Sequence, residues 1–475
     1  MVFSSLTFLF FFLPVVIGLY YLAPRRWRNG VLAAASLAFY IWGAGSLVVL
    51  LLGSIVANYG FGLWIERAVD RGGPSSSRLP LAAAVAMNLG MLFVFKYAVF
   101  ASAQLGRVFG FLGAPPLPVL EIFLPIGISF YTFHALSYLI DIRRGTARHL
   151  RSPIDFALYI TFFPQLIAGP IVRFHEIRDQ LVSRSESVER FAAGVYRFGH
   201  GLAKKVLIAD TVAPIADAAF AADPSELGTA AAIIGVVAYA VQLYFDFSGY
   251  SDMALGLAQM FGIRLPENFD RPYASRSITE FWRRWHMSLS RWFRDYLYIP
   301  LGGNRGSPLT TYRNLVVVFV AVGLWHGANW TFLAWGLYHG TLLLVERALG
   351  IGRTSSEGPS RLAWARTVVL VLGGWILFRA IGLGAAAGYA AALLRPGVPL
   401  PAPMVEALDP LASIALIIGC LSVLIPRDWV TGLRLEREDT RWAWALRGAV
   451  GLIALPLALL FTMTTAFSPF LYFQF

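Results

Sequence analysis

Long apolar runs recur along the whole chain, and they constrain its fold more than any other feature of the sequence. A run of about 20 apolar residues is what a helix needs to cross the hydrocarbon of a bilayer. Only 14% of the 475 residues are charged, whereas a soluble domain carries roughly a quarter. A membrane barrel would instead show alternating segments of about 10 residues. The sequence therefore predicts an all-α polytopic membrane protein.

The charges and the single cysteine narrow the function classes. The net charge of +12 lies largely in short loops, where Arg and Lys orient helices and contact anionic headgroups. We therefore predict membrane lipids, and no nucleic acid, as partners. The single cysteine, Cys420, excludes a disulfide framework and a thiolate metal cluster. Since the N-terminal segment lacks a basic region and a small-residue cleavage site, we expect a retained first helix and not a signal peptide.

Basic loops and helix breakers order the spans. The loop PRRWRN at 24–29 is predicted to be cytoplasmic, so the N-terminus faces outward. The GAG at 43–45 is expected to divide the apolar stretch around it into two helices, and the Gly/Pro-rich segment 101–117 is expected to be an outer loop. Segment 153–170 contains prolines and is expected to enter and leave the membrane on one side. We predict about eleven crossings, without an internal repeat.

The stretch 281–299 is the most informative part of the chain, because it is too charged to cross a membrane. Its charged residues are Arg283, Arg284, Arg291, Arg294 and Asp295. At helical spacing its apolar residues form one face: Phe281, Trp285, Leu289, Trp292 and Tyr296. The pattern predicts one amphipathic helix at the inner interface or along a cavity. A plain surface anchor, with His286 as a packing residue beside that face, is the alternative.

A second histidine lies at the far end of an apolar run. From Arg313 the chain is almost entirely apolar up to His326, which a helix would carry roughly 20 Å from the charged edge. An ionisable group at that depth indicates function, because burying it in lipid is costly. Trp325 and Asn329 beside it are candidate substrate contacts. The alternative is a structural histidine bonded to a carbonyl. We do not predict a metal, since no cysteine and no close carboxylate pair accompanies it.

Weaker candidates surround these two histidines. His339 in GLYHG could support the site or pack in the core. Asp246 and Ser248 could line the same cavity, and Asp246 could also cap a broken helix or pair with an arginine; no G-x-S-x-G elbow frames the serine. Arg283 and Arg284 could attract a phosphate-bearing group, or they reflect only the usual cytoplasmic arginine bias. The other histidines are expected at loops or helix edges: His134, His149, His175 and His200.

Three long strings resemble the membrane-bound O-acyltransferase family. They are QLYFDFSGYSDMALGLAQMFGIRLPENFDRPY (242–273), SITEFWRRWHMSLSRWFRDYLYIPLGGNR (277–305) and GLWHGANWTFLAWGLYHG (323–340). These motifs are most similar to those of the bacterial polysaccharide branch of the family, the inner-membrane component of alginate O-acetylation. FFPQLIAGPIVR at 162–173 agrees, and the resemblance covers at least 1–350.

The resemblance implies a fold, a site and a reaction. The fold would be a ring of helices around a thinned centre, with a cytoplasmic funnel meeting an outer one. It would form one domain over 1–475 with a catalytic core at about 120–350 and C-terminal helices at 362–475. His326 matches the family's catalytic histidine, and His286 its second histidine. The donor would be acetyl-CoA, with no tightly bound cofactor. The acetyl group would cross the inner membrane to a periplasmic acetyltransferase of the SGNH type, or another acceptor protein, that acetylates the exopolysaccharide.

The chemistry of acyl transfer agrees with this reading. A neutral histidine within hydrogen-bond distance makes a hydroxyl nucleophilic, and a deep, wetted histidine lets a donor and an acceptor from opposite membrane faces meet. Three alternatives stay open: a transporter or flippase, an acyltransferase that uses a carrier-protein thioester as in teichoic acid D-alanylation, and a lipid-acylating enzyme. The sequence does not name the polymer.

Overall fold

The structure is a computed structural model that describes residues 2–115, 120–351, 360–425, 448–464 and 470–471. Within these ranges the chain is helical and contains no β-strand, as predicted. The α-helices are α1 (Leu13–Leu22), α2 (Arg28–Ala44), α3 (Val48–Ser76), α4 (Arg78–Leu92), α5 (Ala98–Phe111), α6 (Ile128–Arg144), α7 (Pro153–Thr161), α8 (Phe163–Leu166), α9 (Phe174–Val182), α10 (Val188–Ala203), α11 (Asp210–Ala221), α12 (Thr229–Met260), α13 (Ile278–Arg284), α14 (Met287–Phe293), α15 (Pro308–His326), α16 (Trp330–Ala348), α17 (Arg361–Arg379), α18 (Leu383–Ala392), α19 (Ala402–Ala407), α20 (Pro410–Leu421) and α21 (Leu455–Thr464).

Several of these helices have the length and composition of membrane spans. Among the described residues, the long apolar helical segments are Arg25–Ser76, Arg78–Phe111, Thr229–Met260, Pro308–His326 and Arg361–Arg379. Shorter apolar helices occupy Phe8–Leu22, Leu383–Ala392, Pro410–Leu424 and Gly451–Thr464. The polytopic class is therefore confirmed, whereas the count of about eleven crossings stays a prediction.

The described residues group into two compact units. The first contains Met1–Ala192 and Leu257–Pro266, and the second contains Ala193–Gly256 and Glu267–Phe475. Both histidines of the predicted site belong to the second unit. The sequence also predicts an apolar span at 411–425 followed by a charged inner loop, PRDWVTGLRLEREDTRWAW, and that loop lies outside the described residues.

Breaks in the first unit only partly follow the predicted pattern. α2 ends at Ala44, and Gly45, with φ of 55°, turns the chain into α3. That conformation strains residues with a Cβ atom, so a glycine is needed there, and the predicted division is confirmed. The outer loop expected at 101–117 is wrong as far as Phe111, because α5 continues to that residue. Its isolated glycines lower helix propensity but do not end a helix.

Segment 153–170 is broken, as its prolines predicted. α7 and α8 are separated by Phe162, whose ψ of 106° lies outside the helical region. The side chains of Phe162 and Gln165 are fully buried in the protein. The amide Nε2 of Gln165 donates to the carbonyl of Tyr159 at 2.7 Å, which satisfies a backbone group near the break. That the segment returns to the same membrane face stays a prediction.

In the second unit, α15 and α16 form a hairpin whose backbones touch at two glycines. A Cβ atom placed on Gly323 would lie 3.3 Å from the Cα of Gly336 and under 3.0 Å from the carbonyl oxygen of Phe332. A Cβ atom on Gly336 would likewise lie under 3.0 Å from the carbonyl oxygen of Phe319. Small residues allow such close approach between membrane helices. The glycines therefore fix where α15, and the histidine at its end, lies against α16.

The stretch 281–299 is not one amphipathic helix, and that expectation is wrong. α13 ends before Trp285, which is extended, and His286 adopts a left-handed conformation (φ 42°, ψ 54°) before α14 begins. The predicted aromatic face is nevertheless buried: Phe281, Trp285, Leu289, Trp292 and Tyr296 are each at most 7% exposed. Hydrophobic spacing thus predicted the burial but not the turn that places His286.

A carboxylate on α16 holds the start of α13. Glu346 accepts hydrogen bonds from the backbone N–H of Ile278 at 2.6 Å and from the N–H and hydroxyl of Thr279 at 2.9 Å each. These N–H groups have no partner within the helix, so an anion at this end satisfies them and interacts favourably with the helix dipole. α13 is therefore anchored to the helix that packs against α15.

Candidate functional site

His326 is the last residue of α15, and aromatic rings surround it. Gly327 is extended and ends the helix, so the imidazole lies at the helix terminus. The ring centroid lies 4.9 Å from Trp325, 5.0 Å from Trp335 and 5.1 Å from Phe378, each nearly perpendicular. The residue is 5% exposed. The imidazole is therefore held inside the protein, and access for water and a donor stays a prediction.

His286 is buried between α13 and α14. It is 1% exposed, and its ring centroid lies 4.7 Å from that of Phe247 in an edge-on contact. Burial lowers the pKa of His286 to about 3, because a charged imidazole loses hydration there. The side chain is therefore neutral at physiological pH. A non-glycine residue in a left-handed conformation is strained, and such strain is concentrated at functional sites.

One indole contacts both histidines. The ring of Trp325 lies 4.9 Å from that of His326 and 5.9 Å from that of His286, measured between centroids. The sequence separates the two histidines by 40 positions, and the fold brings both against the same side chain. Trp325, predicted as a substrate contact, thus lies at the centre of the site.

Asn268 connects His286 to the rest of the second unit. Its side-chain oxygen Oδ1 lies 3.1 Å from His286 Nδ1 and 2.8 Å from the hydroxyl of Ser288. Its amide Nδ2 donates to the hydroxyl of Ser251 on α12 at 3.1 Å. Asn268 is 1% exposed. Sequence analysis did not single this residue out, although it stands in the PENFDRPY string that carried the family resemblance.

A partly open cavity of about 40 Å³ adjoins Asn268. Its lining combines charged, hydroxyl and aromatic side chains: Arg197, His200, Lys204, Tyr244, Ser248, Ser251, Asp252, Leu255, Glu267, Asn268 and Phe269. One water needs roughly 10–15 Å³ of such volume, so the cavity has room for about three waters. Ser248, a predicted site residue, is 2% exposed here, and its hydroxyl finds no partner among the described residues.

Four charges in the cavity wall neutralise one another. Arg197 lies 3.0 Å from Asp252 and 2.7 Å from Glu267, and Lys204 lies 2.8 Å from Asp252. Two cations facing two carboxylates allow the charges to remain buried. Arg197, His200 and Lys204 recur at spacings of three and four residues, which place them on one helix face. That spacing is the signal that could have found this cluster.

His339, one of the weaker candidates, packs against two tryptophans of the second unit. It is 0% exposed, and its ring centroid lies 5.1 Å from Trp335 and 5.3 Å from Trp282. Trp335 in turn contacts His326. His339 therefore packs behind the indole that contacts His326.

Asp246 and Asn329 make contacts that support the fold. Asp246 is 1% exposed, pairs with Lys205 at 2.7 Å and accepts the backbone N–H of Leu471 at 2.9 Å. Asn329 accepts the backbone N–H of Thr331 at 3.2 Å and caps α16. Its contact with α16 fixes the short turn after His326.

Three further residues of the stretch around His286 lie on α13 or directly after it. Trp285 is 4% exposed, and its ring lies 4.9 Å from that of Trp375, so it forms a wall beside the backbone of His286. The Arg283 side chain is exposed. Arg284 is half-buried and pairs with Glu280 at 2.5 Å. None of these contacts places either guanidinium against a histidine ring.

Two histidines of the first unit, His134 and His175, were expected at loops or helix edges. His134 is fully buried in the middle of α6, so that expectation is wrong for it, and both its ring nitrogens lack a hydrogen-bond partner among the described residues. His175 is near the start of α9, where its Nδ1 lies 2.9 Å from Asp141. The hydrogen bond that the imidazole donates to the Asp141 carboxylate raises the pKa of His175. Both residues belong to the other compact unit from His286 and His326.

Similar proteins agree with the resemblance carried by the two histidine strings. Residues 124–385 match the family described as "MBOAT, membrane-bound O-acyltransferase family". The sequence is 43% identical to a probable alginate O-acetylase of Pseudomonas putida over the full length of both chains. It is 50% identical to a probable alginate O-acetylase of Azotobacter vinelandii, with 81% of this chain and 76% of the relative covered.

A more distant relative is named for a different substrate. A peptidoglycan O-acetyltransferase of Helicobacter pylori is 38% identical, with 81% of this chain and 78% of the relative covered. The family match spans both histidines and more than half of the sequence, and the similarity to the Pseudomonas putida protein runs from end to end. The chain therefore belongs to the membrane-bound O-acyltransferase family.

Proposed function

We propose that this acyltransferase moves an acetyl group from cytoplasmic acetyl-CoA across the bacterial inner membrane, for O-acetylation of an exopolysaccharide such as alginate. The acceptor would be a periplasmic protein, such as an acetyltransferase of the SGNH type, that passes the group to the polymer. The observation that carries the proposal is the placement of two buried histidines against one indole, Trp325. The choice of an acetyl group and of alginate follows the relatives, which are named as probable alginate O-acetylases.

In this proposal His326 is the general base. It takes the proton from the acceptor hydroxyl while the oxygen attacks the carbonyl carbon of the thioester. A C–O bond forms, the C–S bond breaks, and the proton passes from the imidazolium to the departing thiolate. The acetyl ester and free CoA leave a neutral histidine behind. The aromatic rings of Trp335 and Phe378 exclude bulk water from the imidazole, which limits hydrolysis of the thioester.

His286, the second histidine against Trp325, has a supporting role in the proposed reaction. Its burial keeps the imidazole neutral, so it accepts or donates hydrogen bonds without a change of charge. A neutral ring against Trp325 can orient the acceptor hydroxyl or the acetyl carbonyl toward His326. In this proposal it positions the reacting groups, and His326 moves the proton.

The test is transfer of labelled acetyl groups by inner-membrane vesicles. His326→Ala should abolish acetyl ester formation from acetyl-CoA on the periplasmic acceptor or the polysaccharide, while the variant still inserts and folds. His134→Ala is the matched control, because that imidazole is also buried but lies in the first unit. Full transfer by the His326→Ala variant would refute the proposal.

The same assay separates the rival functions. Transfer from a carrier-protein thioester, and not from acetyl-CoA, would replace the proposed donor. Movement of polymer across the vesicle membrane without ester formation would indicate a transporter. Genetic deletion, followed by ester analysis of the extracellular polysaccharide, identifies the polymer.

A further inference from the structure

The side chain of Asn268 is surrounded by donors that fix which way its amide points. The backbone N–H of Ser288 lies 3.2 Å from Oδ1, and a backbone N–H can only donate. The atom facing it must therefore be the amide oxygen and not the NH₂ group. The NH₂ group then faces the hydroxyl of Ser251 at 3.1 Å, which can accept. These two partners fix the orientation of the amide independently of the protonation of His286.

The fixed amide determines the protonation of the imidazole beside it. Nδ1 of His286 lies 3.1 Å from the same oxygen. An amide oxygen accepts hydrogen bonds and cannot donate them, so Nδ1 must carry the proton. In a neutral imidazole, a proton on Nδ1 leaves the lone pair on Nε2.

We propose that Asn268 is a positioning residue, which holds His286 as the Nδ1–H tautomer and so makes Nε2 its basic nitrogen. The consequence for the reaction rests on the proposed function. In that setting, Nε2 accepts a hydrogen bond from the acceptor hydroxyl and does not donate one to the acetyl carbonyl. The two roles left open for His286 are thereby reduced to one.

Asn268 also holds the strained turn that carries the imidazole. Its backbone carbonyl accepts the N–H of Met287 at 2.9 Å, on the far side of His286. Two residues along, the N–H of Asp270 donates to the carbonyl of Arg284 at 2.9 Å. These two bonds connect segment 268–270 to the backbone on both sides of the left-handed residue. The backbone bonds offset the strain at His286, while the side chain sets its tautomer.

The amide is itself held in place from α12. Ser251 is 4% exposed and lies in the cavity wall. It accepts from the Asn268 NH₂ group, and Ser288 donates its hydroxyl to Oδ1 at 2.8 Å. With three donors on its oxygen and one acceptor on its nitrogen, the amide cannot rotate without losing several buried hydrogen bonds, each costly to leave unmade. The tautomer is therefore a fixed property of this site.

The direct test is nitrogen NMR of the full-length protein in lipid, with ¹⁵N-labelled histidine. The chain has seven histidines, and the signals that disappear in His286→Asn belong to His286. The wild-type protein should show a protonated Nδ1 and an unprotonated Nε2. Asn268→Leu, which removes the acceptor at similar volume, should shift His286 to the other tautomer or to a mixture. Asn268→Asp keeps an acceptor oxygen and should keep Nδ1 protonated.

Controls separate positioning from general damage. Asn314→Leu removes another buried asparagine, which donates to the carbonyls of Leu301 and Gly303, and it should leave the His286 signals unchanged. If Asn268→Leu does not fold, Ser251→Ala removes only the anchor of the amide and should produce a partial shift. An Nε2–H tautomer in the wild-type protein, or an unchanged tautomer in folded Asn268→Leu, would overturn the proposal.

Acetyl transfer gives the functional readout. Asn268→Leu should lower kcat by about 10- to 100-fold, as removal of the partner that orients a metal-ligating histidine does, with KM for the donor little changed. Asn268→Asp should restore most of the rate. The NMR result stands alone: a wild-type protein with the Nδ1–H tautomer but no acetyl transfer refutes the proposed function and leaves the positioning role intact.

Discussion

The hairpin of α15 and α16 offers the sharpest test of how the fold holds His326. Gly323 lies three residues before the histidine, and a Cβ atom there would approach the carbonyl oxygen of Phe332 to under 3.0 Å. Ordinary contacts of this kind begin at 3.4 Å. The substitution Gly323→Ala must therefore separate the two backbones by more than 0.4 Å, the difference between these distances. Neither atom belongs to a flexible side chain, so the helices themselves must move.

The expected size of the effect follows from that displacement. Overpacking of this kind costs about 1–3 kcal/mol of stability. A misplacement of about 1 Å lowers the rate of a reaction between positioned groups by roughly 100-fold. A shift of at least 0.4 Å at His326 should then lower acetyl transfer on the order of 10-fold. Gly336→Ala, on the facing helix, should produce a similar loss, since its Cβ atom would meet the carbonyl oxygen of Phe319.

The assay combines acetyl transfer with thermal unfolding of the purified protein in detergent. Gly53→Ala on α3 is a control without steric effect, because a Cβ atom there has nothing within 4 Å. Gly340→Ala is a graded control, since its Cβ atom would meet the Cβ of Phe319 at 3.2 Å and needs a smaller adjustment. Wild-type transfer and unfolding temperature in Gly323→Ala would refute the inference that backbone contact between these helices positions the histidine.

Three further outcomes are expected. His286→Asn should lose acetyl transfer yet unfold near the wild-type temperature, because asparagine tolerates the left-handed backbone, whereas His286→Ala should also lower that temperature. Lys205→Met leaves Asp246 buried without its cation and should cost about 3–5 kcal/mol in unfolding experiments, and Asp246→Asn in the same protein should recover most of it. The hydrogen bond that His175 donates to the Asp141 carboxylate raises the pKa of His175. Their pair therefore stabilises the fold fully below the ordinary pKa of 6.5, and this stabilisation is lost as pH rises through the raised value. The wild-type protein should therefore exceed Asp141→Asn in unfolding temperature most clearly below pH 6.5, and this difference should decline as pH rises above 6.5. A difference that grows with pH would contradict the assignment.

Much of the fold could be predicted because hydrophobic spacing and helix breakers are local signals. The break at Gly45 and the burial of the aromatic face from Phe281 to Tyr296 both follow from residues close together in the sequence. His326 could be predicted as deeply placed for the same reason, since an uninterrupted apolar run precedes it. The roles of the two histidines rested on family resemblance as well, and they stay predictions.

The missed features depend on contacts between distant residues. The turn at His286 is held by Asn268, eighteen positions earlier, and periodicity favoured a helix through it. Arg197 pairs with carboxylates 55 and 70 positions away, so the spacing of Arg197, His200 and Lys204 marks the basic side of the cluster but not the carboxylates that complete it. Lys96 lies inside the apolar segment Arg78–Phe111, where its amine is 3.4 Å from the hydroxyl of Ser129. The sequence did not single out this lysine, because the apolar residues around it are typical of an ordinary membrane span.

The contact of Glu346 with the start of α13 bears on how insertions would be tolerated. α16 contacts the ring of His326 through Trp335 at one end and fixes α13, which leads to His286, at the other. A single helix, α16, thus fixes the distance between the two imidazoles. The connection at 304–306, although it joins the two halves of the site in sequence, is exposed. A short flexible tag or a protease site inserted there should leave the geometry of both rings intact, which makes this connection the place to label a working enzyme.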